Sequence, residues 1–336
     1  MPRDPAPLPA TETEGGEPEH PFAPYVRTLG RGPGRSRALT REEAREALRM
    51  VLRGAAEPEQ IGAFLMLLRY RGEAVEEIAG LVEAAREAVG AGPLPPGHPG
   101  VDLDWPSYGA GRTRGTPWFL LAALALARGG HRVLMHGTNA FTSGMPVIEA
   151  LARLGLRPAR GRAEALAQLA ETGFAYLPLR AMSAELDRLV GLRALLGLRS
   201  PLNTVARLLN PADAPAGVDG VFHPPYIALH LGVARLLGRP RLLVVKGGGG
   251  EAERNPAKPA AAHLLADGGE DMLHFPALAD TKPGDIPLED IWHGTRHDPA
   301  AEATITGTLA LALAARGMAP ERCDAAARDL WEKRKG

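Results

Sequence analysis

The sequence predicts an α/β protein in which an N-terminal helical domain precedes a larger α/β domain with a mostly parallel central sheet. The first quarter of the chain is apolar at helical spacing, whereas the remainder alternates short apolar runs with helical stretches. Within that remainder, Arg241–Glu251 is a run of Leu and Val that ends in four glycines. This pattern is typical of a buried strand that ends in a ligand-binding loop, although a flexible surface turn has the same composition.

Composition narrows the class of protein. The 336 residues include 39 basic and 39 acidic side chains, so no overall field directs the chain to nucleic acid or an anionic membrane. The longest apolar stretch, residues 118–127, is too short to cross a bilayer, and residues 1–24 lack the apolar core of a secretory signal. Cys323 is the single cysteine, which excludes an intrachain disulfide. We therefore expect a cytoplasmic protein without a membrane partner.

Helical signals dominate the first part of the chain. Thr40 and Glu43 have the spacing of a capping box, and two further helices are predicted over residues 57–70 and 73–89. The Pro- and Gly-rich stretch 91–100 ends this region. The predicted division is a disordered tail over 1–24, a helical domain over 25–95 with about 184–211, and an α/β domain over 101–183 and 212–330.

Short apolar runs predict the strands of the α/β domain. Because helical stretches separate them, the strands are expected to be largely parallel. The predicted strands lie within residues 101–105, 132–135, 174–177, 242–245 and 272–275.

Four segments, in the same order along the chain, resemble the anthranilate phosphoribosyltransferases. They are Leu39–Leu81, His136–Gly155, Gly197–Pro211 and Gly220–Glu251. More broadly, the chain resembles the nucleoside phosphorylase and glycosyltransferase family 3 fold. The resemblance implies a helical head, an α/β body of the phosphoribosyltransferase type, and a cleft that binds phosphoribosyl pyrophosphate with Mg²⁺.

The motifs that bind the donor in that family are altered here. Its Gly-Thr-Gly-Gly-Asp loop reads Tyr108-Gly-Ala-Gly-Arg112, and its following Asn-x-Ser-Thr step falls on Trp118–Leu121. Its Lys-His-Gly-Asn reads Met135-His-Gly-Thr138, with Asn139 one place late, and its magnesium-holding Asp-Glu pair aligns with Glu251-Ala252. Since several phosphate-binding groups are lost together, the ordinary reaction is not expected.

The resemblance nevertheless implies which residues face the cleft. Arg199 aligns with the arginine that contacts the aromatic acid in the family, although a salt-bridged arginine at a helix end is an alternative interpretation. No catalytic residue, metal site or cofactor is predicted, and Mg²⁺ is expected only if the chain is an active transferase, with Glu251 or Glu253 as its ligand. His293 and His297 are four residues apart, but Gly294 and the prolines nearby argue against a zinc pair. The expected cleft residues are Gly109, Gly111, Arg112, His136, Gly137, Asn139, Arg199, Lys246, Gly247 and Glu251.

Arginines recur every four residues in the helical head and form one slanted stripe on a helix. Such a stripe suits the phosphates of nucleic acid, although Glu42, Glu43 and Glu46 on the same helix also fit an exposed face of intrahelical ion pairs. The terminal Lys333–Lys335 is expected to be a solvated basic tip. The arginines expected to bind nucleic acid are Arg31, Arg35, Arg37, Arg41, Arg45, Arg49 and Arg53.

Two functional hypotheses follow. An intact fold with altered donor loops resembles the TrpD-like paralogues called YbiB. This implies a homodimer that binds DNA or RNA without sequence preference, associates through the helical domain and performs no phosphoribosyl transfer. Phe64 and Leu68 are expected at that interface. The alternative is a Mg²⁺-dependent phosphoribosyl or glycosyl transferase that acts on an aromatic or nitrogenous acceptor.

Overall fold

The computed structural model describes residues 18–32, 34–109, 115–138 and 144–335. These residues form two compact units. A helical unit comprises the described residues up to Ala91 together with Ser183–Leu209, and an α/β unit comprises those of Gly92–Met182 and Asn210 onward. The helical head and the mostly parallel α/β body predicted from the sequence are confirmed.

The elements have the following bounds. The helices are α1 (Ala23–Gly30), α2 (Arg41–Leu52), α3 (Pro58–Arg71), α4 (Val75–Ala88), α5 (Trp118–Arg128), α6 (Val147–Arg153), α7 (Arg162–Thr172), α8 (Leu179–Met182), α9 (Ala184–Gly191), α10 (Arg193–Leu196), α11 (Leu202–Arg207), α12 (Pro225–Leu236), α13 (Leu288–His293), α14 (Pro299–Ala315) and α15 (Pro320–Glu332). The strands are β1 (Leu103–Ser107), β2 (Val133–Gly137), β3 (Phe174–Pro178), β4 (Ala216–Val221), β5 (Arg241–Lys246), β6 (Ala260–Ala266) and β7 (Gly269–Phe275).

The packed chain begins earlier than expected. Residues 1–17 lie outside the described residues, but Phe22 is fully buried and its ring lies 5.4 Å from those of both Tyr25 and Phe64. Helix α1 starts at Ala23, so the predicted tail boundary at residue 24 is wrong. Pro24 occupies the first turn of α1, where proline is compatible with a helix. The Pro-rich composition of the first 24 residues is therefore the reason that the start of α1 was not predicted from the sequence.

Capping at the start of α2 is as predicted. The amide of Glu43 donates to Thr40 Oγ1 at 3.2 Å, and the Glu43 carboxylate accepts from the Thr40 amide at 2.9 Å. Both bonds satisfy amides that have no partner within the helix. The apolar side of α2 then packs on α4.

Phe64 and Leu68 do not lie on a surface. Their exposed fractions are 0% and 1%, and both belong to the core of the helical unit. The apolar stripe of a helix has the same periodicity whether it faces a core or a partner, so the pattern alone did not separate the two cases. The expectation that these residues form an interface is wrong.

The sheet has the order β3-β2-β1-β4-β5-β6-β7. Strands β3 to β5 are parallel, whereas β6 and β7 are antiparallel to their neighbours. Strands β4 and β6 were not predicted, because β4 contains two glycines and β6 begins with three alanines. The Asp267-Gly268 dipeptide, with both residues at positive φ, is the local signal that identifies the β6–β7 hairpin.

Helix α5 is buried along almost its whole length because it lies within the main core of the α/β unit, in contact with α14 and α15. That core also includes Trp105, Val218 and Leu243 from the sheet. A separate cluster joins Leu134 and Leu177 to the buried face of α7. Despite the apolar character of α5 and α14, no helix among the described residues is long and apolar enough to span a bilayer.

The C-terminal basic tip is not solvated throughout. Arg334 is 6% exposed and donates to three backbone carbonyl oxygens, those of Trp292 at 3.1 Å, Ile291 at 2.9 Å and Trp331 at 2.7 Å. Its guanidinium also lies 3.5 Å from the centroid of the Trp331 ring. The expectation of a solvated tip is therefore wrong for Arg334, which fastens the end of α15 to the end of α13.

Candidate functional site

The carboxyl ends of four parallel strands gather most of the predicted cleft residues at one edge of the sheet. Ser107 at the end of β1 is paired with Gly137 of β2, and Val221 at the end of β4 is paired with Lys246 of β5. Ligands of open α/β sheets bind at this edge. The residues brought there are Gly109, His136, Gly137, Lys246, Gly247 and Glu251.

The remaining predicted cleft residues are not part of this group. Gly111, Arg112 and Asn139 lie outside the described residues. Arg199 belongs to the helical unit, in the segment between α10 and α11. The described residues therefore include only part of the expected cleft.

The glycine loop after β5 brings a carboxylate back over the end of β1. Glu251 is 2% exposed, and its Oε1 accepts a hydrogen bond from Ser107 Oγ at 3.2 Å. A Cβ on Gly109 would collide with this same oxygen, so glycine is required there for the carboxylate to fit. The Glu251 carboxylate therefore occupies the space beside Gly109.

Glu253 on the same loop reaches the start of α5. Its Oε2 accepts a hydrogen bond from the Phe119 amide at 2.9 Å. The N-cap residue of α5, Pro117, supplies no side-chain cap, and the first turn contains no acidic residue. The Glu253 carboxylate, 134 residues away in sequence, thus accepts a hydrogen bond from an amide at this helix end. No local capping motif in the sequence indicated this contact.

A cavity of about 610 Å³ lies beside this helix start, entirely within the α/β unit. Its walls carry both signs of charge and one large aromatic surface. It is lined in part by Thr116, Trp118, Glu253, Asn255, Lys282 and Asp285.

A buried chain of polar groups lies beneath the ends of β1 and β2. Tyr108 Oη is 2.9 Å from His136 Nδ1, and His136 Nε2 is 3.1 Å from Asp104 Oδ1, although that second contact lacks hydrogen-bond geometry. Arg239 Nη2 donates to Asp104 Oδ2 at 2.7 Å. Of these residues the cleft prediction included only His136.

The charges around Asp104 in this group of buried polar side chains favour its ionised form. Burial would raise the pKa of its carboxyl, but attraction to His136 and Arg239 and the hydrogen bond from Arg239 outweigh burial and hold the pKa below its usual range. Arg239 reaches Asp104 past Gly217, where a Cβ would collide with the guanidinium. Tyr108 Oη lies within hydrogen-bonding distance of His136 Nδ1, so the two groups can exchange a proton.

A second buried pair was also missed from sequence. His230 Nδ1 on α12 lies 2.7 Å from Asp219 Oδ2 in β4, and the Gly220 amide donates to Asp219 Oδ1 at 2.7 Å. Both side chains are almost fully buried. The pair joins α12 to the sheet.

One carboxylate of the glycine loop suits Mg²⁺. This ion is usually held by one or two carboxylates together with phosphate oxygens and water. Glu253 accepts a backbone amide of α5, whereas Glu251 accepts from Ser107 Oγ at the ends of the strands, so Glu251 is the carboxylate placed to hold such an ion there. In the part of the chain that the structure describes, no three His, Cys, Asp or Glu side chains cluster as a metal site. His293 ends α13, while His297 pairs with Glu302 at 2.9 Å.

Most of the arginine stripe is paired within the helical unit. Arg41 meets Glu83 on α4, with Nε 3.0 Å from Oε2, and Arg45 and Arg49 both donate to Glu87 on α4. Burial raises the pKa of Glu87, but the hydrogen bonds from Arg49 and Arg45 outweigh it and lower that pKa.

The other arginines expected to bind nucleic acid fall into two groups. Arg37 pairs with Glu43 at 2.6 Å, and Arg53 pairs with Glu46 at 2.8 Å. Arg31 and Arg35 are exposed and form no ion pair with a described residue. The expected basic surface is therefore largely neutralised, mainly across two helices rather than along one.

Comparison with known proteins agrees with the fold. A family model described as glycosyl transferase family, helical bundle domain, matches residues 23–89, and one described as glycosyl transferase family, a/b domain, matches residues 119–284. The anthranilate phosphoribosyltransferase of Methylobacterium nodulans is 35% identical over 248 residues, which cover 74% of this chain and 71% of that protein. Anthranilate phosphoribosyltransferase 2 of Streptomyces coelicolor is 33% identical over 255 residues, 74% of this chain and 75% of that protein.

Solved structures lead to the same family. The crystal structure of anthranilate phosphoribosyltransferase from Thermus thermophilus aligns with a TM-score of 0.73 at 26% identity, covering 94% of this chain and 95% of that one. The Saccharomyces cerevisiae enzyme in complex with PRPP and Mg aligns with a TM-score of 0.70 at 15% identity, covering 93% and 96%, and supports the fold alone. The chain therefore belongs to the anthranilate phosphoribosyltransferase family of glycosyl transferases.

Proposed function

We propose that the protein is a Mg²⁺-dependent phosphoribosyl or related glycosyl transferase that acts on an aromatic or nitrogenous acceptor. The observation that carries the proposal is the position of Glu251, which the glycine loop holds against Ser107 at the carboxyl ends of the strands. Family membership supports the same reaction class. The altered donor loops indicate a donor or acceptor different from those of the usual enzyme.

In this proposal the ion is bound by Glu251 and by phosphate oxygens of the donor. When bound, Mg²⁺ supplies positive charge that neutralises those oxygens and assists departure of the leaving group. Lys282, which lines the cavity beside the start of α5, would supply a positive charge for a phosphate bound there. Trp118 provides an apolar wall beside it.

The polar chain under the sheet edge has a role in proton transfer. We propose that the Tyr108 hydroxyl, 2.9 Å from His136 Nδ1, would pass its proton to His136 as it takes up the proton that the acceptor nitrogen loses. Asp104, ionised and held by Arg239, stabilises the imidazolium that results. Replacing Tyr108 with Phe is expected to lower kcat by about 100-fold or more and to leave KM nearly unchanged.

Calorimetry and a transfer assay test the proposal. Phosphoribosyl pyrophosphate is titrated into the protein with and without Mg²⁺. Pyrophosphate release and product mass are then followed with anthranilate and a panel of other aromatic and nitrogenous acceptors. We expect Mg²⁺-dependent binding that Glu251→Gln removes and that the control Glu270→Gln, which alters an exposed pair with Arg235, retains. Absence of both heat and release for every acceptor would refute the proposal.

Nucleic-acid binding by a homodimer is the second candidate. Arg31 and Arg35 support it, because both are exposed and form no ion pair with a described residue. Binding through so few phosphates would be weak and only shallowly dependent on salt, since each neutralised phosphate contributes about 0.9 to the slope of log affinity against log salt. Binding of duplex DNA whose log affinity falls with log salt at a slope of about −2 to −4, as expected for two phosphates per protomer, would favour this candidate over the transferase.

A further inference from the structure

We propose that Glu253 excludes phosphate from the start of α5 and thereby determines which donors the cavity accepts. The carboxylate of Glu253 accepts the Phe119 amide at 2.9 Å and also lines the cavity. The Glu253 carboxylate therefore provides the negative charge at this helix start.

The physical reason lies in the partial positive charge of a helix start. Free amides at such an end attract anions such as phosphate, and a carboxylate in the same place satisfies them equally. Because Pro117 gives no side-chain cap and the first turn lacks an acid, Glu253 supplies the negative charge here. A phosphate that approached the Phe119 amide would have to displace this carboxylate or accept its repulsion.

Other groups of the cavity are arranged consistently with this exclusion. The guanidinium of Arg254, which also lines the cavity, is engaged by other groups, because it donates to the Pro276 carbonyl oxygen and pairs with Asp324 at 3.6 Å. Lys282 is exposed on the cavity wall. The cationic groups near the cavity therefore favour an anion on the Lys282 side and not at the helix start.

The consequence for donors rests on the proposed function. A donor whose leaving group at α5 is uncharged fits the cavity as it stands. A diphosphate fits only away from the helix start, where Lys282 on the cavity wall can receive it. Glu253 is thus a specificity-determining residue of this site.

Metal-free binding of inorganic pyrophosphate tests the inference separately from transferase activity. Pyrophosphate is titrated calorimetrically, in the presence of a chelator, into the full chain and into Glu253→Gln and Glu253→Ala. We expect the variants to bind at least about tenfold more tightly than the parent protein, because one charge-assisted competitor is removed. The gain should also appear as a pyrophosphate-dependent rise in Tm that the parent protein lacks.

Two controls keep the outcome unambiguous. Glu43→Gln removes another glutamate that accepts a backbone amide in a cap, in the helical unit, and is expected to leave pyrophosphate binding unchanged. Glu253→Gln keeps an acceptor oxygen for the Phe119 amide, so it serves if Glu253→Ala does not fold. Equal affinity of parent and variants, or no gain in either variant, overturns the inference, whereas failure of the transfer assay alone leaves it intact.

Discussion

The guanidinium of Arg49 on α2 lies against the carboxylate of Glu87 on α4, with Nε 2.7 Å from Oε2. Arg45 shares the same carboxylate. One glutamate therefore neutralises two arginines of a stripe that suggested nucleic-acid binding. The functional meaning of these arginines depends on their partners on the neighbouring helix.

Releasing these two arginines should increase nucleic-acid affinity. In Glu87→Gln, Arg45 and Arg49 lose their shared carboxylate, so two positive charges become available to phosphates. We expect tighter, more salt-dependent binding of a random oligonucleotide by fluorescence anisotropy. The accompanying loss of stability should be at most about 1 kcal/mol, because the pairs are partly exposed. Glu185→Gln, which releases Arg188 on α9, is the matched control. Tight binding by the parent protein that Glu87→Gln leaves unaltered would contradict this account.

Replacing Asp104 with Asn should give a pH-dependent loss of stability. The pKa of Asp104 is lowered in the folded protein, so its carboxylate stabilises the fold at pH values above the unfolded pKa of about 4. That contribution is lost as the pH falls through this value and then through the lower folded pKa. We expect a difference in unfolding free energy of about 3–5 kcal/mol at pH 7, since Arg239 loses its buried partner, and a smaller difference near pH 3. Urea unfolding across this range measures it, and a difference independent of pH would contradict the assignment.

The buried end of the chain should matter for stability. Arg334→Ala removes three hydrogen bonds to backbone carbonyl oxygens and the contact with the Trp331 ring. We expect a loss of about 2–4 kcal/mol in thermal or urea unfolding. Lys333→Ala removes only an exposed pair with Asp329, so it should cost less than about 1 kcal/mol. Equal effects of the two substitutions would show that Arg334 contributes nothing beyond a surface charge.

Association of the helical unit, if it forms a homodimer, should depend on exposed rather than buried apolar residues. Tyr70 is 90% exposed and Leu195 is 81% exposed, whereas substituting Phe64 would damage the core. We expect Tyr70→Ser with Leu195→Ser to shift sedimentation velocity profiles toward monomer without lowering Tm. Leu236→Ser, which changes an exposed residue of the α/β unit, should leave association unchanged. A dimer that survives the double substitution would place the interface elsewhere.

Much of the fold was predictable because its signals are local. The Thr40–Glu43 capping box and the periodic apolar faces of α2, α3 and α4 involve residues within one or two helical turns of each other. Strands β2, β3 and β5 each contain consecutive apolar residues, which is typical of parallel strands buried on both faces, whereas Asp104 interrupts β1. Strand β4 contains two glycines and an aspartate, and β6 begins with three alanines, so the local signal of both strands is weak. Their place in the sheet depends on neighbours that are distant in sequence.

The candidate site was predictable only in its outline. The glycines after β5 indicated a loop at the strand ends, and Glu251 lies there as expected. Tyr108, Asp104 and Arg239 were not recognised as companions of His136. Asp104 and Tyr108 lie in or directly after β1, whereas His136 lies in β2 and Arg239 precedes β5, so only the folded sheet brings the four together. No local pattern signals a contact of that kind.

By itself, then, the sequence determined the family, the order of the two domains and the edge of the sheet that carries the loops. These follow from periodicity and motifs that short stretches of chain contain. Only the tertiary structure decided that Glu87 holds Arg45 and Arg49, and that Glu253 caps α5 at Phe119, 134 residues away. The free energy of such contacts depends on distance and burial in the folded chain, which neighbouring residues in sequence do not specify.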